Sequence, residues 1–254
     1  MMPLVFIGHG SPMNAIEDND FTQSWVALGR ALPKPEAVLV VSAHWYDRGL
    51  WVQADERPGM IYDMYGFPDE LYRVVYEAPG SPRLATRVRA LLGPDQVSLY
   101  QIRGFDHGNW AVLCRLYPEA AIPVVQLSLN YNLSPAEHFD LGRKLRPLRE
   151  EGVLIVGSGN VVHNLRLIDW NLPGGYDWAD SFDEYIRQVV LSGDFAAAVD
   201  FSRAGPAAAR AVPTPDHYLP LLYVLGAAEA GEPIEVFNNQ RVMGSMSMTS
   251  YRLG

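Results

Sequence analysis

Cysteine is almost missing from this chain. The one thiol, Cys114, cannot close an intrachain disulfide, and it excludes the paired cysteines of structural zinc modules. It lies in an apolar, helix-like segment, where a lone cysteine reads as a small buried hydrophobe rather than a nucleophile. Charge is scarce too: 19 % of the 254 residues are charged against 48 % hydrophobic, enough to build a sizeable core. Positive charge is in deficit, and a net charge of −9 repels phosphate backbones and argues against nucleic acid as a partner. No apolar run approaches the roughly 20 residues of a membrane span. The start carries no basic segment and no signal-cleavage pattern, so a cytoplasmic protein without a membrane partner is expected. Short catalytic signatures are absent as well. There is no His-Glu-x-x-His, no P-loop, and Gly157-Ser158-Gly159 has the wrong spacing for a Gly-x-Ser-x-Gly nucleophile elbow.

What is present is an alternation of apolar runs and amphipathic stretches. Residues 3–8 and 37–43 read as buried strands around a helix at 21–31, a unit that would make the two strands parallel neighbours. Residues 50–78 are rich in proline, glycine and aromatics and read as an irregular pocket wall or lid. Pro82 opens a helix that stops at Gly93-Pro94. Further strands are expected at 97–102, 122–129 and 153–156, with a helix at 108–116. Ser134 and Glu137 form a capping box for a helix running to about Arg149. One or two helices are expected over 181–203, and another at 217–230 with Asp216 as its cap. Residues 234–237 and 245–251 read as closing strands, the second at a sheet edge. No repeat or Pro/Ser-rich linker interrupts the chain. The expectation is one α/β domain over 1–254, with a central mostly parallel or mixed sheet and helices on both faces.

Six histidines are spread over the chain, and at least three stand where a metal site would want them. His9 follows the first strand in Gly8-His9-Gly10-Ser11-Pro12, His44 closes the second, and His163 follows Gly157-Ser158-Gly159-Asn160 after a third. Ligands of open α/β sheets collect at the carboxyl ends of strands, and neutral imidazole is a common metal ligand. Histidines repeated at that edge therefore suggest one shared ion. His217 would start a helix, whose dipole disfavours a proton on the ring. His107, beside Asp106 and near Trp110, is a candidate acid/base or orienting residue. The glycines of 157–159 could form an anion nest. His138, among charges on a helix, reads as a solvated surface residue.

These motifs together resemble a known family. Gly8-His9-Gly10-Ser11-Pro12, Ser42-Ala43-His44-Trp45, Asp106-His107-Gly108-x-Trp110, Gly157-Ser158-Gly159-Asn160-x-x-His163-Asn164 and Pro213-Thr214-Pro215-Asp216-His217-Tyr218-Leu219-Pro220 occur in the order seen in DODA-type (4,5-DOPA) extradiol dioxygenases. That family is a branch of the class III, LigB-like ring-opening enzymes, and the resemblance spans essentially the whole chain. It implies one divalent metal held by His9, His44 and His217, with Fe(II) for turnover and Zn²⁺ in isolated protein. It implies His163 as base or fourth ligand, His107 as a further active-site histidine, and O₂ and a small substituted catechol as reactants. The product would be a muconic semialdehyde. Trp45, Tyr62, Tyr65 and Trp110 are candidate substrate walls. One departure stands at Val212, where the family motif often has a histidine before Pro-Thr-Pro; substrate preference is the property it bears on.

Three other classes compete. Small tetrapyrrole chelatases also carry Gly-His-Gly-Ser, but they would leave His44 and the Pro-Thr-Pro-Asp-His segment unexplained. A zinc hydrolase needs only three histidines and a water. A non-catalytic metal-binding relative of the fold would not need every ligand position filled. Oligomeric state leaves no trace in the sequence.

Overall fold

The computed structural model describes residues 1–254. Its first half runs β1 (Leu4–Gly8), α1 (Asp20–Ala31), β2 (Ala37–Asp47), β3 (Leu50–Gln53), α2 (Pro82–Leu92), β4 (Val97–Tyr100), α3 (His107–Leu116) and β5 (Val124–Asn130). There follow α4 (Pro135–Leu145), β6 (Val153–Gly159), α5 (Asp177–Leu191), α6 (Phe195–Val199), α7 (Pro206–Ala211) and α8 (Leu219–Ala227). The chain closes with β7 (Ile234–Phe237), β8 (Arg241–Val242), β9 (Met246–Ser247) and β10 (Ser250–Leu253). Eight strands make one mixed sheet in the order β4-β3-β5-β2-β6-β1-β10-β7. Its centre, β5-β2-β6-β1, is parallel, while on one flank β10 runs antiparallel to both of its neighbours, β1 and β7.

The apolar runs are continuous because both faces of the sheet are covered. Leu4, Phe6, Leu39, Val41 and Ile155 point into one core, closed by side chains of α2, α4, α5 and α8. Their neighbours Val5, Ile7, Val38, Val40, Leu154 and Val156 point into the other, closed by Trp25 of α1 and Trp110 and Leu113 of α3. Helices α4 and α8 meet backbone to backbone. A Cβ on Gly142 would strike the Tyr223 carbonyl, and one on Gly226 the Phe139 carbonyl. The Ser134–Glu137 capping box forms as the sequence indicates. No helix is long and apolar enough to cross a membrane.

Several expectations need correcting. Strands β1 and β2 are parallel but not neighbours, because β6 lies between them and pairs with both. A crossover fixes the direction of two strands, not what is later inserted between them. The aromatic stretch 50–78 begins with a true strand, β3, before it becomes irregular around a short 3₁₀ turn at Leu71–Arg73. The edge strand on this flank is β7; β10 is interior, between β1 and β7. The segment expected as one or two helices holds two, α5 and α6, and a further short helix, α7, follows beyond it. Before α8 comes a 3₁₀ turn, Pro215–His217, so Asp216 lies inside a turn instead of capping a helix.

His138 is fully buried, not solvated. Its Nε2 faces the Asn130 carbonyl at 3.1 Å and so donates, leaving Nδ1 to accept the Tyr223 hydroxyl at 3.0 Å. Burial pushes its pKa from 6.5 down to about 4. An unfolded chain would protonate this histidine below pH 6.5, whereas the folded one resists until about pH 4. Protons therefore favour the unfolded state across that window, and stability falls with pH by at most ~1.4 kcal/mol per unit from this one group. Denaturant titrations at the two ends of the window are expected to give a smaller acid loss for His138→Gln than for the parent. Equal losses would remove His138 as a source of acid sensitivity.

Candidate metal centre

Strands β1, β2 and β6 run toward the same edge; His9 follows β1, His44 lies within β2 rather than closing it, because the strand continues to Asp47, and His163 comes a short loop after β6. His9 is the first residue beyond β1; its backbone N–H donates to the Gly159 carbonyl of β6 at 3.0 Å. The next residue, Gly10, has φ +61°, and a Cβ there would hit the Met248 sulfur. Glycine at this turn thus serves the positive φ and the packing of Met248. His44 sits where β2 slips register against β5, between Val41 and Tyr46. Such an irregularity re-aims a side chain that regular pleating would send elsewhere. His217 closes its 3₁₀ turn, and its carbonyl accepts the Asn160 backbone N–H at 2.8 Å, tying the turn to the end of β6. Residues 157–159 belong to extended β6 and form no anion nest.

The three rings form a nearly regular triangle. Centroid separations are 5.0 Å for His9–His44, 5.3 Å for His9–His217 and 4.9 Å for His44–His217. Imidazoles arranged tetrahedrally at ~2.0–2.1 Å from one Zn²⁺ would have centroids roughly 5 Å apart. The hydrogen-bond network also sets two of the tautomers. Ser158 Oγ donates to the Gly108 carbonyl at 2.5 Å and so accepts from His9 Nδ1 at 3.0 Å. His217 Nδ1 donates to Asp216 Oδ2 at 2.5 Å. Both rings are therefore left with a bare Nε2. The Nε2 of His217 is buried with no partner, and that of His9 faces the Nε2 of His44 at 3.1 Å. Lone pairs gathered in this way want a cation between them. One ligand atom from each of the three histidines lies within 4.8 Å of the others.

Electrostatics keep the rings of His9 and His44 neutral. Burial, then repulsion from neighbouring imidazoles, holds His9 and His44 well below the usual histidine range. His163 is lowered in the same way, with Asp216 opposing. His163 stands apart from the triad: its ring stacks on that of His217 at 3.4 Å and 7°, and it groups with Asp216 and His217. The carboxylate partner of His107 is Asp63 at 3.1 Å, a bent contact, and not its sequence neighbour Asp106. Asp106 is a buried N-cap of α3 that accepts from Ser42, Gln126 and Arg103. Arg103 in turn donates to the His44 carbonyl at 2.9 Å.

The aromatic walls divide. Trp110 has no exposed surface and donates its indole N–H to the Ile61 carbonyl, so it is core. Trp45 is buried under the Arg103 guanidinium, and Tyr65 projects into solvent at 93 % exposure. Tyr62 alone is both partly exposed and chain neighbour to Asp63, with its ring against Trp110. Asp63 itself was invisible in the sequence, a single carboxylate in an irregular aromatic segment. Ser158 was visible only as part of a glycine-rich motif.

The family described as the catalytic LigB subunit of aromatic ring-opening dioxygenase matches residues 3–254. A protein of Escherichia coli K12 named 4,5-DOPA dioxygenase extradiol is 47 % identical, covering all of this chain and 95 % of its own. One of the same name from Beta vulgaris is 39 % identical over 97 % of this chain and 94 % of its own. An uncharacterized Escherichia coli K12 protein of known crystal structure superimposes with a TM-score of 0.87 at 46 % identity, each chain fully covered. Fold, strand-end histidines and full-length similarity agree, and the chain belongs to the LigB family of aromatic ring-opening dioxygenases.

Proposed function

We propose that this protein is a metal-dependent extradiol dioxygenase that opens a substituted, DOPA-like catechol to a muconic semialdehyde. The carrying observation is the triangle of His9, His44 and His217, each of which brings one ligand nitrogen within 4.8 Å of the other two. Three neutral nitrogens suit a borderline divalent cation, and Zn²⁺ competes well with Fe²⁺ for such a set. Bound there, Fe(II) would supply the electron path between catechol and dioxygen that ring opening requires, which Zn²⁺ does not. The names of the full-length relatives support the DOPA-like substrate class.

The chain's own residues would bind, orient and deprotonate. His163 is the proposed base: burial keeps its ring unprotonated, and the stack on His217 sets it beside the ligand triad without joining it. A base so placed could take the proton of a catechol hydroxyl. His107 is proposed to orient the substrate, and Tyr62 to offer an aromatic wall beside it. Asp216 accepts from His217 and so fixes which nitrogen faces the cation.

The test is anaerobic loading with Fe(II), then addition of a catechol panel and oxygen. A yellow ring-opened product, with one dioxygen consumed per ring, is expected from the iron-loaded protein and not from the zinc-loaded one. Iron-loaded protein inert toward every catechol would sink the proposal.

A further inference from the structure

We infer that Asp63 is a positioning residue that sets the tautomers of two site histidines at once. The inference rests on the reading of His44 as a metal ligand. The two oxygens of Asp63 face different imidazoles. Oδ1 lies 3.1 Å from Nδ1 of His107 and accepts the His107 backbone N–H at 2.9 Å. Oδ2 lies 3.5 Å from Nδ1 of His44. An ionised carboxylate only accepts, so it draws a proton onto each Nδ1 and leaves each Nε2 with a free lone pair. In His44 that Nε2 is the atom facing His9. His9 has a hydrogen bond to Ser158 and His217 one to Asp216 for the same purpose; on the Nδ1 side of His44 stands the Asp63 carboxylate, at ion-pair distance.

Asp63 owes its place to contacts that involve neither histidine ring. Ile61 N–H donates to the Phe105 carbonyl at 2.8 Å, and Phe105 N–H donates to the Gly59 carbonyl at 3.0 Å. The indole of Trp110 holds the Ile61 carbonyl, and the Tyr62 hydroxyl holds the Val74 carbonyl at 2.7 Å. The segment before Asp63 is therefore docked on the start of α3, and its carboxylate is presented to His44 and His107 by a pre-formed frame. The rings of His44 and His107 lie only 3.8 Å apart, so a single carboxylate reaches both. Metal ligation and the orienting histidine are in this way governed from one atom pair.

Substitution separates this role from mere filling of space. In Asp63→Asn the carbonyl oxygen would go to the His107 N–H groups, and the amide would turn its donors toward His44. His44 Nδ1 would then accept, moving the proton to Nε2, where it blocks ligation. Asp63→Ala leaves His44 free to choose either tautomer. We therefore expect the isosteric variant to be the worse of the two. Long-range ¹⁵N spectra of histidine-labelled, metal-free protein should place the His44 proton on Nδ1 in the parent and on Nε2 in D63N. Zinc titration should give an affinity about 10-fold weaker in D63A and about 100-fold weaker in D63N, the span known for loss of an outer-shell partner. A parent-like His44 tautomer in D63N, or zinc affinities equal to the parent in both variants, would overturn the inference. If the parent takes up no zinc, His44 is not a ligand and the metal reading fails, while the tautomer comparison still judges Asp63.

Discussion

His217→Ala is expected to strip the metal from the protein. Its Nε2 is buried, has no protein partner, and lies in a triangle with His9 and His44. Removing it takes away a ligand, not an orienting group, so the loss of affinity should exceed the ~10–100-fold that an outer-shell partner is worth. Metal content after dialysis, with Fe(II) or Zn²⁺, checks this directly: the parent should retain one ion per chain and the variant essentially none. Turnover should fall with it to background. The side chain is small relative to the core and sits at the site edge of the sheet, so the fold should survive the change. A variant that still holds one equivalent of metal would show that the triangle is not the binding site.

His163→Gln is expected to behave in the opposite sense, keeping the metal and losing the reaction. The ring stacks on His217 and is absent from the group formed by His9, His44 and His217. General acid–base catalysis contributes typically 10²–10⁴-fold, so kcat should drop by about that factor. Metal stoichiometry should match the parent, and KM for the catechol should move little because binding does not need the proton transfer. Loss of metal together with activity would instead make His163 a fourth ligand.

Much of this candidate site is legible in the sequence, for a physical reason. Parallel strands buried on both faces advertise themselves as unbroken apolar runs, and their ends mark where ligands gather. His9, His44 and His163 stand at or near such ends, and β1, β2 and β6 do share one edge. The capping box at Ser134 was equally readable because it depends on four consecutive residues. What stayed hidden depends on partners far away in the chain. The insertion of β6 between β1 and β2 is a property of the whole sheet. The burial of His138 comes from α8, through Tyr223, 85 residues on. Asp63 reaches His107 across 44 residues, and no local pattern encodes that contact. Asp216 looked like a cap because Pro215-Asp216 often begins a helix; the intervening 3₁₀ turn frees its carboxylate for His217.

The position of β1 has a consequence for biosynthesis. Its two neighbours, β6 and β10, are made long after it, so a nascent chain carries Leu4–Gly8 without a pairing partner until Val153 and beyond have left the ribosome. His9 and His44 then wait for His217, and under the proposed ligation ion capture would be a late event of maturation that a truncated translation product could not perform.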